Sequence, residues 1–250
     1  MHYLIKDTEF EQIMKYLIHV KGIHRKDGQK LRLFIEAVCY ACRSGCQWRL
    51  LPTYYGNWRA IHKRFMQWSK RGLWKQLFEY AKIDPDNDYT MIDATIVRAH
   101  PCAAGYGKDS QEREALGRSR GGFTTKIHAT VDGLGNPLEF ILTPGQRSDI
   151  SQAEALSANL SDTALIGDKA YDCDDYIDFL TNKNCEAVIP PKNNRLSPRD
   201  YDKHIYKERH AIECFFNKIK HFRRIFSRFE KMAQSFLSLV YFVGALIWFR

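Results

Sequence analysis

The sequence lacks any hydrophobic run long enough to cross a bilayer. Its most apolar segment, residues 236–249, is shorter than the ~20 residues that a spanning helix needs, and Ser238 and Gly244 interrupt it. We therefore predict a buried terminal helix there and no membrane association. The first fifteen residues also lack the basic start and apolar run of a secretory signal peptide, which favours a cytoplasmic protein.

Cysteines in a pattern typical of a disulfide framework or a zinc site are missing as well. The chain has seven cysteines, an odd number, and they are scattered. Cys39, Cys42 and Cys46 lie close together, but no second pair of cysteines or histidines follows at zinc-finger spacing. We therefore predict free thiols in a reducing compartment and no structural zinc.

Acidic residues are missing between Glu36 and Glu79, a stretch that carries eight basic residues with aromatic residues between them. The whole chain of 250 residues has a formal net charge of +9. This balance favours a polyanionic partner such as nucleic acid, and a basic surface without a special role is the alternative. The basic residues of the stretch are Arg43, Arg49, Arg59, Lys63, Arg64, Lys70, Arg71 and Lys75.

Two helices are predicted in and around this stretch. The first covers residues 31–43 and ends at Ser44-Gly45, and the second begins after Gly56-Asn57. In the second helix the apolar residues recur every three or four positions, whereas basic residues lie on its other faces. The pair resembles a helix-turn-helix DNA-binding motif with a long turn, and a small helical bundle with a solvated basic face is the alternative. The predicted DNA contacts of this helix are Arg59, Lys63 and Arg64.

The pattern changes from helices to strands after a linker at residues 83–89. Three strands are followed by alternating helices and strands, which predicts a mixed sheet with helices on its faces, an α/β (α+β mixed sheet) fold. This order is shared by ribonuclease-H-like domains. We predict two domains, a helical DNA-binding domain at residues 1–82 and a catalytic domain at 83–250. The predicted elements are strands at 90–97, 124–131, 138–143, 164–167 and 186–189, and helices at 149–160, 173–182 and 202–221.

Three acidic residues occupy positions suited to metal-dependent phosphodiester chemistry. Asp93 interrupts an apolar strand, where a charge is costly unless it is paired or metal-bound, and Asp168 ends the strand predicted to lie beside it. Glu213 lies in the long last helix. Each has an alternative explanation: Asp168 caps a turn, and Glu213 pairs with Arg209 one helical turn earlier. The three together predict oxygen ligands for Mg²⁺ or Mn²⁺.

A four-residue frame in the last helix resembles a known family. Tyr206, Arg209, Glu213 and Lys220 stand as Tyr-x2-Arg-x3-Glu-x6-Lys, which resembles the signature around the catalytic glutamate of DDE-type insertion-sequence transposases. Residues 91–95 and 167–172 resemble the segments around the two aspartates in the insertion-sequence-five family. The resemblance runs from about residue 31 to the C-terminus.

The resemblance implies an enzyme with a ribonuclease-H-like core that cuts and rejoins DNA. Asp93, Asp168 and Glu213 would be the catalytic metal ligands for two Mg²⁺ (or Mn²⁺) ions. The implied partner is double-stranded DNA, both the terminal repeats of the element and the target, bound by a homodimer in the bacterial cytoplasm at the nucleoid. Tyr206, Arg209 and Lys220 would contact DNA, and the basic run beyond Glu213 adds Lys218, Arg223 and Arg224 as phosphate contacts.

Two other functions are compatible with the same residues. A two-metal nuclease or resolvase would share the three acids but would need no sequence-reading N-terminal domain. A non-catalytic DNA-binding copy would keep the fold without the activity. His100, Lys126, His128 and Lys169 flank the predicted site and receive no role from the sequence, because buried or hydrogen-bonded histidines are common.

Overall fold

The computed structural model describes residues 4–23, 27–103, 112–119 and 122–250. The chain forms two compact units. The first unit contains Met1–Ile83 and Ile219–Arg250, and the second contains Asp84–Lys218.

The N-terminal part of the first unit is helical, as predicted. Asn57 accepts a hydrogen bond from the Arg59 N–H at 2.9 Å and so caps the basic helix at its predicted start. The preceding helix ends at Gly45, whose φ of 70° is left-handed and therefore suits glycine. The helices are α1 (Asp7–Leu17), α2 (Gly28–Ser44), α3 (Trp58–Lys70) and α4 (Leu73–Ala81).

The second unit is built on a mixed sheet, which confirms the predicted fold class. The five predicted strands are all present within two residues of their predicted bounds, and a short strand, β2, was not predicted. The elements are β1 (Tyr89–Ala99), β2 (Gly117–Ser119), β3 (Gly122–Asp132), β4 (Pro137–Pro144), α5 (Ala153–Leu156), β5 (Ala164–Ile166), α6 (Asp174–Thr181), β6 (Glu186–Val188) and α7 (His210–Lys220).

The strand order places β1 at the centre of this sheet. The order is β2-β3-β1-β5-β6, and β4 pairs with β3. β3 runs antiparallel to β1, β2 and β4, whereas β5 runs parallel to both β1 and β6. An antiparallel meander that continues into parallel strands is the order of a ribonuclease-H-like sheet.

Two predicted helices are shorter than the sequence pattern indicated. The helix predicted at 149–160 is a 3₁₀ turn, Asp149–Gln152, followed by the four residues of α5. The helix predicted at 202–221 begins as a 3₁₀ segment, Ile205–Arg209, before α7. The Asp202 carboxylate accepts the N–H groups of His204 (2.6 Å) and Ile205 (3.0 Å), which favours a local turn over a regular helix there.

The C-terminal segment of the first unit contains α8 (Arg223–Phe226), β7 (Ser227–Arg228) and α9 (Ala233–Trp248). α9 is the predicted buried terminal helix, and it packs against α4 through the ring pair Trp74–Phe242, with centroids 5.2 Å apart.

The predicted domain division places this segment with the catalytic domain. It joins the helical unit because α9 is buried along most of its length and needs a second apolar surface. The predicted functional division into a DNA-binding domain at residues 1–82 and a catalytic domain at residues 83–250 stays a prediction. Within the described ranges, no helix is both long and apolar enough to cross a bilayer.

Candidate active site

The two predicted aspartates belong to neighbouring parallel parts of the sheet: Asp93 lies in β1, and Asp168 follows β5. β1 pairs with β5 so that Met91 lies opposite Ile166. Continuing this register by two residues brings Asp93 level with Asp168, just beyond the carboxyl end of β5. The predicted adjacency of the two strands is thus confirmed. The alternative explanation of Asp168 is also present, because its carboxylate accepts the Ala170 N–H at 2.8 Å.

One face of the sheet brings the third predicted acid toward Asp93. Asp93 lies opposite Ala129 on β3, and Ala129 lies opposite Phe140 on β4, so the three side chains share a face. The Phe140 ring stacks on that of Phe215 in α7, with centroids 5.9 Å apart. α7 therefore covers the face on which Asp93 lies, and it carries Glu213 in its first turn.

Arg209 bridges two of the three predicted acids. Its Nη1 donates a hydrogen bond to Asp93 Oδ2 at 2.9 Å, and its Nη2 donates to Glu213 Oε1. The contact with Glu213 is the helical pair foreseen as the alternative explanation of that residue. The contact with Asp93 crosses 116 positions of sequence, so a local helix pair does not account for it. We call this arrangement of Asp93, Arg209 and Glu213 the Arg209 bridge.

The charge around Asp93 is only partly neutralised by the bridge. Burial raises the pKa of Asp93, and the nearby carboxylates of Asp168 and Asp149 raise it further. The Ala94 N–H and Arg209 act in the opposite direction but do not outweigh these effects. Asp149 is paired with Lys126, but the carboxylates of Asp93, Glu213 and Asp168 outnumber the single charge of Arg209, which favours the binding of another cation.

Asp149 is a further carboxylate at this site that the sequence patterns did not indicate. Its Oδ1 accepts a hydrogen bond from Lys126 Nζ at 2.8 Å and lies 3.9 Å from Nδ1 of the buried His128. Lys126 Nζ also donates to the Arg147 carbonyl at 2.7 Å, which fixes the lysine. Two of the flanking residues without a predicted role thus surround Asp149. Its position shortly after β4 parallels that of Asp168 after β5, a signal that could have identified it.

Tyr171 was part of a recognised segment but had no predicted role. Its hydroxyl is buried and has no hydrogen-bond partner among the described residues. Burial raises the pKa of Tyr171, and the negative charges of Asp149, Asp93 and Asp168 raise it further. Gly167 makes room for this ring, because an added Cβ would lie 3.3 Å from Tyr171 Cδ2. A buried hydroxyl without a partner beside carboxylates is suited to a bound water or ligand.

The predicted metal ligands are not assembled into a three-ligand cluster. In the described parts of the chain, no group of three or more Asp, Glu, His or Cys side chains lies close enough to hold a metal ion. The Arg209 guanidinium lies between Asp93 and Glu213, where a cation shared by the two would be expected.

The predicted DNA contacts differ in accessibility. Tyr206 is half-buried, and its ring packs edge-on against Tyr201 at 5.5 Å, while Arg209 belongs to the bridge. Lys220 is partly buried at the end of α7. The other contacts that remain exposed, and whose role in DNA binding stays a prediction, are Arg59, Lys63, Arg64, Lys218 and Arg223.

Arg224 is buried, unlike the exposed cations predicted to contact DNA. Its side chain turns inward and is 6% exposed, and its contact with phosphate stays a prediction. Its Nε donates to Glu230 Oε1 at 2.6 Å, its Nη1 donates to the Cys46 carbonyl, and its guanidinium lies 5.0 Å from the Trp48 ring centroid. Arg224 therefore fastens the C-terminal segment to the loop after α2. Gly45 permits this approach, since an added Cβ would lie only 3.0 Å from Arg223 Cβ.

A second charge cluster, the Asp172 clamp, lies just after the Asp168 turn. Asp172 accepts hydrogen bonds from Arg195 Nε (2.7 Å), from Arg199 Nη1 (2.9 Å) and from the Lys192 N–H (2.8 Å). Both arginines also bond Asp174. Burial alone would raise the pKa of Asp172, but the bonds from Arg195 and Lys192 outweigh it and keep the pKa below its usual value.

Comparison with known families identifies two matching models along the chain. Residues 5–78 match a family described as "Putative transposase of IS4/5 family". Residues 85–248, well over half of the chain, match the family "Transposase DDE domain".

Similar proteins include two bacterial relatives and several solved structures. The chain is 43% identical over 129 residues to a "Putative transposase for insertion sequence element IS6501" of Brucella ovis, covering 51% of this chain and 99% of the relative. It is 35% identical over 103 residues to "Uncharacterized protein y4sN" of Sinorhizobium fredii, covering 40% of this chain and 81% of that protein.

The similar structures are more distant. A "piggyBac transposase synaptic complex with hairpin DNA" has a TM-score of 0.44 at 12% identity and covers 76% of this chain. The chain spans about half of that protein, 47% of its length. A "Mos1 transposase paired-end complex with left transposon end" has a TM-score of 0.30 at 12% identity, covering 84% of each chain.

Proposed function

Since the chain belongs to the DDE transposase family of the IS4/5 type, we propose that it binds the ends of its own insertion sequence, cuts the DNA there and joins it to a target. In the cut, the oxygen of water bonds to phosphorus and the bond from phosphorus to the 3′-oxygen breaks. In the joining step, the freed 3′-hydroxyl attacks a target phosphorus and displaces the target's 3′-oxygen.

The observation that carries this proposal is the position of the three acids. The parallel register of β1 and β5 brings Asp93 level with Asp168, and α7 covers the same face with Glu213. We propose these three as the catalytic residues. Carboxylates at the end of parallel strands and on a covering helix could hold divalent cations, which would neutralise the negative charge of the reacting phosphate.

The donor set suits a hard divalent cation. Asp93, Asp168 and Glu213 offer carboxylate oxygens, the ligands that Mg²⁺ and Mn²⁺ prefer, and the excess negative charge favours a cation. The Tyr171 hydroxyl, which has no hydrogen-bond partner among the described residues, adds a group able to donate to a bound water. Two such ions would supply activation of the attacking oxygen and neutralisation of charge on the leaving oxygen.

The proposed partner is double-stranded DNA, both terminal repeats and target, bound in the bacterial cytoplasm by a homodimer that bridges two ends. The exposed cations of α3 support DNA binding by the N-terminal helices, and each phosphate contact makes the affinity more salt-dependent. Lys218 and Lys220, which follow Glu213 in the sequence, are proposed to bind DNA phosphates.

The test uses the purified full chain with Mg²⁺ and DNA that carries the element's own terminal repeats. Wild type is compared with Glu213→Gln and with Glu208→Gln, a matched control that neutralises an exposed acid five residues earlier. We expect cleavage at the repeat ends by wild type and the control, and none by Glu213→Gln.

Three results would contradict the proposal. Specific binding without cleavage by wild type would favour a non-catalytic DNA-binding copy. Cleavage that ignores the repeats would favour a general two-metal nuclease or resolvase. Cleavage that persists in Glu213→Gln would exclude Glu213 as a metal ligand.

A further inference from the structure

We propose that Arg209 sets the metal affinity of the site: its guanidinium neutralises Asp93 and Glu213 in the metal-free protein and has to withdraw from them when a divalent cation binds. This inference rests on the proposed function, because it takes the same carboxylates as metal ligands. It adds that Arg209, a side chain of the protein itself, competes with the metal ion for those ligands.

The geometry of the bridge carries the inference. One nitrogen of the guanidinium donates to Asp93 and another to Glu213, so a single cationic group lies between two proposed ligands. A guanidinium bonded to both carboxylates places its positive charge where a shared divalent ion would bind, so the two cations compete for these ligands. This explains why the described residues contain no ready three-ligand cluster, although their chemistry suits a metal.

The surrounding charges explain why the bridge can be displaced. Asp149 is paired with Lys126, but Asp168 also acts on Asp93, so the single charge of Arg209 stands against three carboxylates. A divalent cation brings more charge and binds more of these oxygens. Arg209 is also partly exposed, at 21% of its side chain, so it can leave without having to be buried elsewhere. Once released, its planar donors suit a phosphate oxygen of bound DNA.

The second unit offers a matched control for this arginine. Arg195 also bonds two carboxylates, Asp172 and Asp174, and its side chain is 20% exposed. Both arginines therefore pair with two carboxylates, are exposed to the same extent and lie in the same unit. They differ in that only the acids bonded to Arg209 are proposed metal ligands.

The experiment measures Mn²⁺ binding to the full chain by titration calorimetry without DNA. We expect Arg209→Gln to tighten Mn²⁺ binding about tenfold, because a competing charge within hydrogen-bond distance of the ligands is gone. Arg209→Lys, which keeps the charge but cannot bridge both acids, should lie between Arg209→Gln and wild type. Arg195→Gln should bind like wild type, and Asp93→Asn should bind at least tenfold more weakly.

A second measurement follows Arg209 in the wild-type protein and uses one variant for assignment. The side-chain Nε–H signal of Arg209, assigned by its loss in Arg209→Lys, is followed by NMR during a titration with Mg²⁺. The inference requires this signal to shift and to exchange faster with water as the cation binds. A signal that stays in place while Mg²⁺ binds would overturn it.

The outcomes separate this inference from the proposed function. If Asp93→Asn abolishes Mn²⁺ binding but Arg209→Gln leaves it unchanged or weakens it, Arg209 organises the ligands and does not compete for them, and only this inference fails. If Asp93→Asn binds Mn²⁺ as wild type does, the metal site lies elsewhere and both proposals fail.

Discussion

Arg195 and Arg209 make the same kind of contact in the same unit with opposite consequences. Each bonds two carboxylates, and the side chains are 20% and 21% exposed. The difference lies in the acids. Asp172 in the clamp is 2% exposed and is shared with a second arginine, whereas Asp93 in the bridge is 20% exposed and has one arginine among several acids.

The charge balance of the two clusters separates a structural role from a ligand-binding one. The clamp pairs two acids with two arginines, and the pKa of Asp172 falls below its usual value despite burial. The bridge pairs two acids with one arginine beside Asp168 and Asp149, and the pKa of Asp93 rises. The clamp is thus complete by itself, while the bridge leaves negative charge for a cation to neutralise.

The largest expected effect is the loss of strand cleavage when Asp93 in the bridge is neutralised. We expect Asp93→Asn to lower the rate of strand cleavage at least about 10³-fold without lowering the free energy of unfolding, because the ionised carboxylate is not favoured in the fold. Cleavage assays with Mg²⁺ and urea unfolding check the two parts. A variant that unfolds more easily than wild type would show that the bridge stabilises the fold as the clamp does.

The clamp should show the opposite pattern. Asp172→Asn removes the buried charged acceptor shared by two arginines and the Lys192 N–H, and it leaves the arginines with the exposed Asp174, so we expect the free energy of unfolding to fall by about 2–3 kcal/mol. Once the folded fraction is taken into account, the cleavage rate should stay within a few-fold of wild type. Urea unfolding followed by circular dichroism measures the first quantity. A stable variant without cleavage would instead place Asp172 in the catalytic machinery.

The individual acids were predictable because each has a local signal. A charge inside an apolar strand marks Asp93, a strand end marks Asp168, and a four-residue frame marks Glu213. The strands were found within two residues because they are short apolar runs between turns. The contact of Arg209 with Asp93 has no local signal, since it depends on the sheet register and on α7 lying over that face.

The features that the sequence did not indicate have the same physical origin. Asp149 was missed because an acid at a predicted helix start already has a sufficient explanation. Arg224 lies among cations that resemble a phosphate-binding run, and only the fold shows that it turns inward to Glu230. The placement of α9 with the helical unit was equally beyond the sequence, because its apolar surface does not specify which element it packs against.

Lowering the pH should change the contributions of Asp172 and Asp93 to the free energy of unfolding in opposite directions. The folded pKa of Asp172 is lowered, so its stabilisation is present above the unfolded pKa of about 4 and is lost as the pH falls through the folded value. The deficit of Asp172→Asn relative to wild type should therefore shrink as the pH drops from about 5 to 3.

The folded pKa of Asp93 is raised, so ionisation becomes a cost as the pH rises through it. Asp93→Asn should accordingly gain stability relative to wild type as the pH rises above about 4. Urea unfolding of the three proteins at several pH values tests both directions, and parallel pH profiles would refute the contrast.

The smallest effect is expected at Tyr171, beside the bridge. Its hydroxyl is buried without a partner among the described residues, so Tyr171→Phe should leave the metal-free protein as stable as wild type or up to about 1 kcal/mol more stable. If the hydroxyl donates to a water in the loaded site, the same change should lower the stabilisation by Mg²⁺ and slow cleavage a few-fold. Tyr176→Phe is the matched control, because the Tyr176 hydroxyl is bonded to Ser157 at 2.8 Å. Its loss should lower the stability of the metal-free protein. Thermal melting of both variants with and without Mg²⁺ measures these changes in stability. If Tyr171→Phe is destabilised equally in the two conditions, the hydroxyl stabilises the fold, as the clamp does, and does not act on the bound ion.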